Sequence, residues 1–599
     1  MVELPPGIAY LIRILPNLVV PPATVLVATK VAQGPLELNI PTWAVILASA
    51  LSLPLAFFAQ FAQKTIADSR AAANHAAKLP PCVYDSWPGG IGLLRATLQN
   101  FSDGYPGELF NDWVNQYGNL VNFRIMWENR FLTVEPDHIK AILATQFESF
   151  EKGPTFQRMM STILGTGVFN SDGDMFHRGM TRPFFTKDRI SHFDIFDRHA
   201  TDALSQLKER IKAGYPVDIQ DLASRFTMDS ATEFLFAKDV QSLAAGLPYP
   251  HYSPLSELSE AADHPANRFS RAFDEAQRLT ALRSRLGVNW PLAEFWKDRV
   301  KEQMAIINAF IEPILSAALQ RQRESGEVKR MNATIEREVS ENESLLDHLI
   351  NYTDDEKVLR DETLNILLAG RDTTTNSITW SIYMLSQYPD VLERLRQEVL
   401  EKVGETRRPT FDDMKDMKYL RAVINETLRL YPAVPFNVRT TNRAVTLQSK
   451  SNSGKWFYIP AGSKTAYSVF LMHRRKDIWG PDADKFDPDR FLDERVKKYI
   501  TPNPFIFVPF NAGPRICLGQ QFAYHETSFF LIRLLQQFKN IKHVVEAQPP
   551  SSRPPAEWKH DFENGTKAMD DVRIKSYLTM SVMGGCWVTM EEASVSDSV

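Results

Sequence analysis

Phe510-Asn511-Ala512-Gly513-Pro514-Arg515-Ile516-Cys517-Leu518-Gly519 decides how the rest of the chain is read. These are the residues of a loop that holds a thiolate out toward a metal. Phe510 supplies an aromatic face, Gly513 permits a tight turn, and Arg515 fixes a cation two residues before the sulfur. Gly519 leaves room for another group to approach the backbone closely. From Gln520 onward apolar residues recur at helical spacing (Phe522, Ala523, Phe530, Leu534, Phe538), which predicts a helix opening just beyond Cys517. The free N–H groups at that helix start and the Arg515 guanidinium both favour the sulfur anion. A thiolate so placed is the kind of sulfur that serves as an axial haem ligand. The plainer alternative is a buried structural cysteine in a Gly/Pro turn.

The run is similar, at every fixed position, to the haem-binding signature Phe-x-x-Gly-x-Arg-x-Cys-x-Gly of the cytochrome P450 family. That resemblance implies a mainly α fold with minor β. It also implies a haem b cofactor (iron protoporphyrin IX), with Cys517 on the metal and Phe510, Gly513, Arg515 and Gly519 around it.

A second stretch, Ala369-Gly370-Arg371-Asp372-Thr373-Thr374-Thr375, lies inside a long apolar helical pattern from about Leu345 to Tyr388. Glycine followed by threonines is poor helix-forming sequence, and threonine hydroxyls bond back to carbonyls one turn earlier. A local loosening of the helix is therefore expected, with an acid and an alcohol side by side at it. Such a pair suits proton delivery. The stretch resembles the family's Ala/Gly-Gly-x-Asp/Glu-Thr-Thr pattern, which implies that Asp372 and Thr373 are catalytic.

Glu426-Thr427-Leu428-Arg429 places a carboxylate and a guanidinium on one face of an apolar helix that ends at Tyr431-Pro432. With Arg490 the pair matches the family's structural network around the haem loop, with Asp489 where Glu is more frequent. Two haem propionates need cations. Arg515 travels with the loop, Arg439 matches a propionate-binding arginine, and Arg178 resembles the arginine of the family's Trp-x-x-x-Arg helix. That last match is partial: Asp174 stands in the tryptophan's place, and the segment reads about two residues short. By family position, Ala369, Phe436 and Val582 are the substrate-pocket candidates.

The chain has 599 residues, 44% hydrophobic, with a net charge of −4 and no basic stripe, so nucleic-acid binding is not expected. Its three cysteines (Cys82, Cys517, Cys586) form no disulfide framework, and Cys82 and Cys586 lack metal-ligand spacing. From Leu38 to Gln63 there is no charged residue. A helix over that run measures about 39 Å against a hydrocarbon core of about 30 Å. The reading is an apolar interfacial segment at 1–37, a transmembrane anchor at 38–63, a linker at 64–81 and a catalytic domain at 82–599. Within the first segment, Ile14 to Thr29 is broken by Pro16, Pro21 and Pro22 and is expected to be interfacial or re-entrant. Lys64, Arg70, Lys78 and Arg95 follow the anchor, which points the large domain toward the cytosol, and the family resemblance implies the endoplasmic reticulum membrane. Gln548 to Pro555 carries four prolines and is expected to be an exposed insertion.

The resemblance implies a monooxygenase that inserts one atom of O₂ into a C–H bond of a hydrophobic substrate: an alkane, a fatty acid or a xenobiotic. No Rossmann-type glycine fingerprint or flavin domain is present, so electrons are expected from NADPH through NADPH–cytochrome P450 reductase, with cytochrome b5 as a further partner. A haem enzyme rearranging peroxides and a non-catalytic haem sensor are the competing classes.

Overall fold

In the computed structural model, which describes residues 4–172, 179, 181–185, 193–256, 264–325, 343–449 and 454–593, the chain is mostly helical with small sheets. The helices that place the site are α1 (Pro6–Gln33), α2 (Thr42–Asn74), α3 (Ile91–Asp103), α4 (Ile219–Phe236), α5 (Pro265–Leu286), α6 (Glu356–Gln387), α7 (Lys418–Leu430) and α8 (Gln520–Gln537).

The amino-terminal region differs from the expectation in two ways. α1 runs unbroken for 28 residues through Pro16, Pro21 and Pro22, so the prolines do not end it. Tolerance of interior proline is a habit of membrane helices. Both α1 and α2 are long and apolar enough to cross a membrane by length and composition. The segment read as a linker from residue 64 is helical as far as Asn74, because Lys64-Thr-Ile-Ala-Asp-Ser-Arg-Ala-Ala-Ala is good helix-forming sequence. Ala72 and Ala77 then pack on Tyr458, and the His75 ring stacks on Tyr458 with centroids 5.6 Å apart.

Both helices dock on the body. The Gly7 N–H donates to the Phe295 carbonyl at 2.9 Å, and the Tyr10 hydroxyl to Asn289 Oδ1 at 2.7 Å. Phe57, Phe58 and Phe61 of α2 surround the Trp127 ring edge-on, at 5.3, 5.4 and 5.2 Å. Trp127 reaches them from a turn in which Met126 and Trp127 both have positive φ (50° and 65°), a costly conformation for large side chains.

α6 is buried around most of its circumference, with Leu359, Ile366, Leu367, Ile378, Trp380 and Ile382 spread over its faces, and forms the centre of the body. Asp355 caps it by accepting the N–H groups of Lys357 and Val358. α4 lies along it, and α7 and α8 pack against its second half. A five-stranded sheet closes the opposite side: β1 (Leu120–Asn122), β2 (Arg130–Thr133), β3 (Phe150–Glu151), β4 (Phe436–Thr441) and β5 (Lys464–Ser468), in the order β1-β2-β5-β4-β3. The β4–β5 register sets Arg439 opposite Thr465.

The proline-rich stretch after Gln548 is not the exposed insertion expected: Gln548 and Ser552 are buried, and Gln548 donates to the Gly585 carbonyl at 3.0 Å. Further on, buried Asp570 ties this region to the core. It accepts hydrogen bonds from Tyr431 (2.5 Å), Tyr105 (3.0 Å) and Thr566 (3.0 Å).

Candidate active site

The Cys517 loop is shaped by its own backbone. The Cys517 N–H donates to the Phe510 carbonyl at 2.9 Å, and that of Ile516 to Gly513 at 3.1 Å, which bends the run into a tight hairpin. Gly513 has φ +62°, and a Cβ there would lie 2.6 Å from the Leu143 carbonyl oxygen. Glycine is therefore required twice over at that position. Arg515 donates to the carbonyls of Ile142 (3.2 Å) and Phe150, and its guanidinium lies over the Phe147 ring at 5.4 Å. The loop is thus buttoned to the turn before β3. Gly519 sits at the start of α8, and the first atom a Cβ there would meet is 4.0 Å away, on Phe185. The space above Gly519 belongs to a cavity.

Behind the loop stands a charged network with no access to water. The Glu426 carboxylate accepts from Arg429 Nε (2.7 Å) and Nη2 (2.8 Å), and Arg490 Nε stands at 3.5 Å. All three side chains are fully buried. The remaining guanidinium N–H groups bond to carbonyls of His473, Ala483, Trp479 and Asp482. Buried charges persist when every lone pair and proton is used in this way. His473 links the network to the loop: its Nε2 accepts the Val508 N–H at 3.2 Å, so Nδ1 carries the proton and donates to the Arg429 carbonyl. Burial, aided by Arg429, pushes His473 down to about 3, and it stays neutral.

The cavity beside Cys517 holds about 760 Å³. Phe510, Arg515, Cys517 and Gly519 share its wall with Ala369, Thr373, Phe436 and Arg439, while Gly513 lies off it. On the α6 side the expected hydroxyl bond is present: Thr373 Oγ1 donates to the Ala369 carbonyl at 2.6 Å. The helix nevertheless continues through Thr375 without a break. Asp372 does not reach the wall. One residue along a helix turns the side chain by about 100°, and Asp372 faces α5 instead. There it accepts from Gln277 Nε2 (2.7 Å) and Arg371 Nη1 (3.1 Å), while Arg371 bonds the hydroxyls of Ser224 and Ser270. Burial raises the Asp372 carboxyl above the usual aspartate range, with the Arg371 charge pulling the other way. Val582 is also off the wall. Its backbone bonds the Gln220 side chain and its side chain lies in the core, while its neighbours Thr579 and Met583 line the cavity. Arg178 lies outside the described residues.

A family model described as Cytochrome P450 matches residues 89–559. The chain belongs to the cytochrome P450 family. Among curated proteins it is 33% identical over 540 residues to cytochrome P450 monooxygenase pvhE of Talaromyces variabilis, covering 86% of this chain and 90% of that one. It is 36% identical over 438 residues to cytochrome P450 52A3-A of Candida maltosa, covering 70% and 77%. A Fusarium relative, cytochrome P450 monooxygenase g430, is 35% identical over 489 residues, covering 79% and 82%. The protein is therefore a P450 monooxygenase, and its family implies a haem-thiolate cofactor.

The residues of this P450 fit that cofactor. A thiol, two guanidinium groups and an open glycine face meet on one cavity wall. Arg439 Nη1 bonds the Val438 carbonyl at 2.8 Å, but its buried Nε meets no acceptor among the described residues. Tyr467 stands close enough to feel the charges of both Arg439 and Arg515. Two neighbouring cations, one with an unused donor, suit a group carrying two carboxylates.

Sequence reasoning missed two features of the site. Gln277 is the hydrogen-bond partner of Asp372 from 95 residues away, and no local pattern announces it. Glu526 of α8 is fully buried against Thr374 of α6; burial raises its carboxyl well above normal and the Thr374 hydroxyl moderates the rise. The helical spacing of the residues after Cys517 puts Glu526 on the inner face of α8, a signal that was available.

Proposed function

We propose that this P450 is a membrane-anchored haem-thiolate enzyme that inserts one atom of O₂ into a C–H bond of a hydrophobic substrate such as an alkane, a fatty acid or a xenobiotic. The observation that carries the reading is the single cavity of about 760 Å³ whose wall joins Cys517 to Thr373 and Ala369. Cys517 would hold the iron of haem b, with Arg439, Arg515 and Arg178 on its propionates and Phe510, Gly513 and Gly519 shaping the bed. When bound, the cofactor supplies O₂ reduction and C–H oxidation.

The protein's own part is positional and protonic. Ala369 and Phe436 keep the wall apolar and exclude water. Thr373 holds a hydroxyl at the cavity face. Asp372, buried one position away, keeps its proton to a higher pH than an exposed aspartate. The Lys575–Asp274 ion pair stands close enough to influence its charge from the surface, a sensible entry for protons. Electrons come from NADPH through NADPH–cytochrome P450 reductase, with cytochrome b5 as a second donor. The anchor sits in the endoplasmic reticulum membrane with the catalytic body in the cytosol, supported by the cations that follow the anchor.

The test is an absorption spectrum of the reduced, carbon-monoxide-treated protein beside that of Cys517→Ala. Thiolate ligation moves the main band far to the red. The variant must lose that band; if it keeps it, or if the parent never shows it, the reading is wrong. Reductase-dependent NADPH consumption with an oxygenated product then separates a monooxygenase from a haem sensor.

A further inference from the structure

The cavity has a second set of polar groups away from the Cys517 loop, built from α3, α5 and the hairpin Ile574–Ser576/Met580–Val582. Arg278, Arg285, Arg573 and Lys575 all line it. Three of these cations are matched by carboxylates. Arg278 makes a two-point bond to Glu275 (2.6 Å each), Lys575 pairs with Asp274 at 2.9 Å, and Arg573 stands 3.4 Å from Asp103. Nearer the sheet, Arg130 and Lys464 share Glu128 at 3.0 and 2.8 Å.

Arg285 is different. It leaves the last turn of α5, its Nη1 donates to the Ala281 carbonyl at 2.8 Å, and its guanidinium lies over the Phe101 ring at 3.8 Å. Phe101 in turn contacts Tyr577, with ring centroids 5.6 Å apart. No carboxylate among the described residues meets Arg285. Burial pushes its guanidinium down to about 10, so it is still a full cation at neutral pH. An uncompensated cation in a low-dielectric wall is costly to keep. The aromatic face offsets part of that cost, and the remaining N–H groups meet no acceptor among the described residues. Asn100, Ser284, Ser576 and Tyr577 line the same region and offer further polar atoms.

We infer that Arg285 is a specificity-determining residue that binds the carboxylate of a long-chain acid, so that this P450 prefers an acyl chain with a free acid head over the same chain without one. The inference rests on the oxygenase reading for its chemistry, but the binding it describes can be measured without it. A planar guanidinium is the side chain best matched to a carboxylate, and none among the described residues meets it here. Fixing the head also fixes which carbon reaches the Cys517 side, so Arg285 would act on regiochemistry by positioning.

The experiment compares the full-length protein with Arg285→Ala, Arg285→Lys and Arg285→Glu, each tested against hexadecanoic acid, its methyl ester and the alkylammonium ion of equal length. Binding is read by the spin-state shift and, independently of the cofactor, by equilibrium dialysis of labelled ligand. Arg285→Ala should weaken acid binding ~10- to 100-fold and change ester binding less than about threefold. Arg285→Lys should recover part of the loss, and Arg285→Glu should favour the ammonium ion over the acid. Equal losses for acid and ester would show that Arg285 merely packs, and an acid affinity unmoved by Arg285→Ala would overturn the assignment outright. If the parent protein lacks the thiolate band yet dialysis shows acid binding that depends on Arg285, the oxygenase reading fails and this one stands.

Discussion

Two parts of the cavity wall are held by opposite means. Around Cys517 the chain folds back on itself within ten residues, and the charges behind it, Glu426, Arg429 and Arg490, leave no polar atom idle. Around Arg285 three distant segments meet through side chains, and one charge has no counterpart among the described residues. The first arrangement fixes a geometry that must not vary, whatever molecule is oxidised. The second is the kind of surface that changes with the ligand, since replacing one side chain alters what it attracts without unfolding the loop.

Breaking the rigid part should cost most. Glu426→Ala leaves Arg429 and Arg490 buried without their carboxylate, and a loss of about 3–5 kcal/mol in urea melts is expected, with poor cofactor retention. A loss below about 1 kcal/mol would mean that the network is not closed as described. Gly513→Ala comes next. Its Cβ would press on a backbone oxygen at 2.6 Å in a left-handed conformation, so about 1–3 kcal/mol and a displaced Cys517 are expected, visible as a blue-shifted carbon-monoxide band.

The α6 side sharpens the contrast. Gln277→Leu removes one of the two hydrogen-bond donors to Asp372 while sparing the wall itself. Product formed per NADPH should fall about tenfold or less, with substrate affinity unchanged, because a proton donor rather than a binding group is disturbed. A change in affinity with coupling intact would move Asp372 out of the proton route.

The smallest effect concerns pH. The Asp570 carboxyl is raised from 3.8 to about 6, mainly by burial, so the folded chain holds that proton more tightly than the unfolded one. Its stabilising contribution is whole below pH 3.8 and is lost as pH rises through about 6. Asp570→Asn should therefore flatten the dependence of Tm on pH across that window by about 2–4 °C. A parallel shift at all pH values would assign Asp570 a purely hydrogen-bonding part.

What could be read from the sequence follows the same division. The Cys517 loop is contiguous, and its glycine, arginine and sulfur keep fixed spacings because backbone bonds enforce them. The Glu426–Arg429 pair was visible for the same reason, being one helical turn apart. Asp372 was found but aimed wrongly, since adjacency in sequence puts two side chains on different faces of a helix. Val582 differs in a similar way: it is buried in the core while Met583 lines the cavity, and a strand reverses its face at each step. Arg285 and Gln277 had no local signal, because their meaning depends on α3 and α6, far away in the chain. The prolines of α1 misled for another reason: they do not end the helix, which runs on through all three of them.

The Trp127 turn has a practical consequence for anyone preparing this enzyme. Cutting the chain after Asn74 would remove Phe57, Phe58 and Phe61 and bare an indole held out by a strained backbone, next to half-exposed Met126 and Ile91. A truncated form would then carry an adhesive spot in place of its missing helices, and self-association in detergent-free buffer would follow.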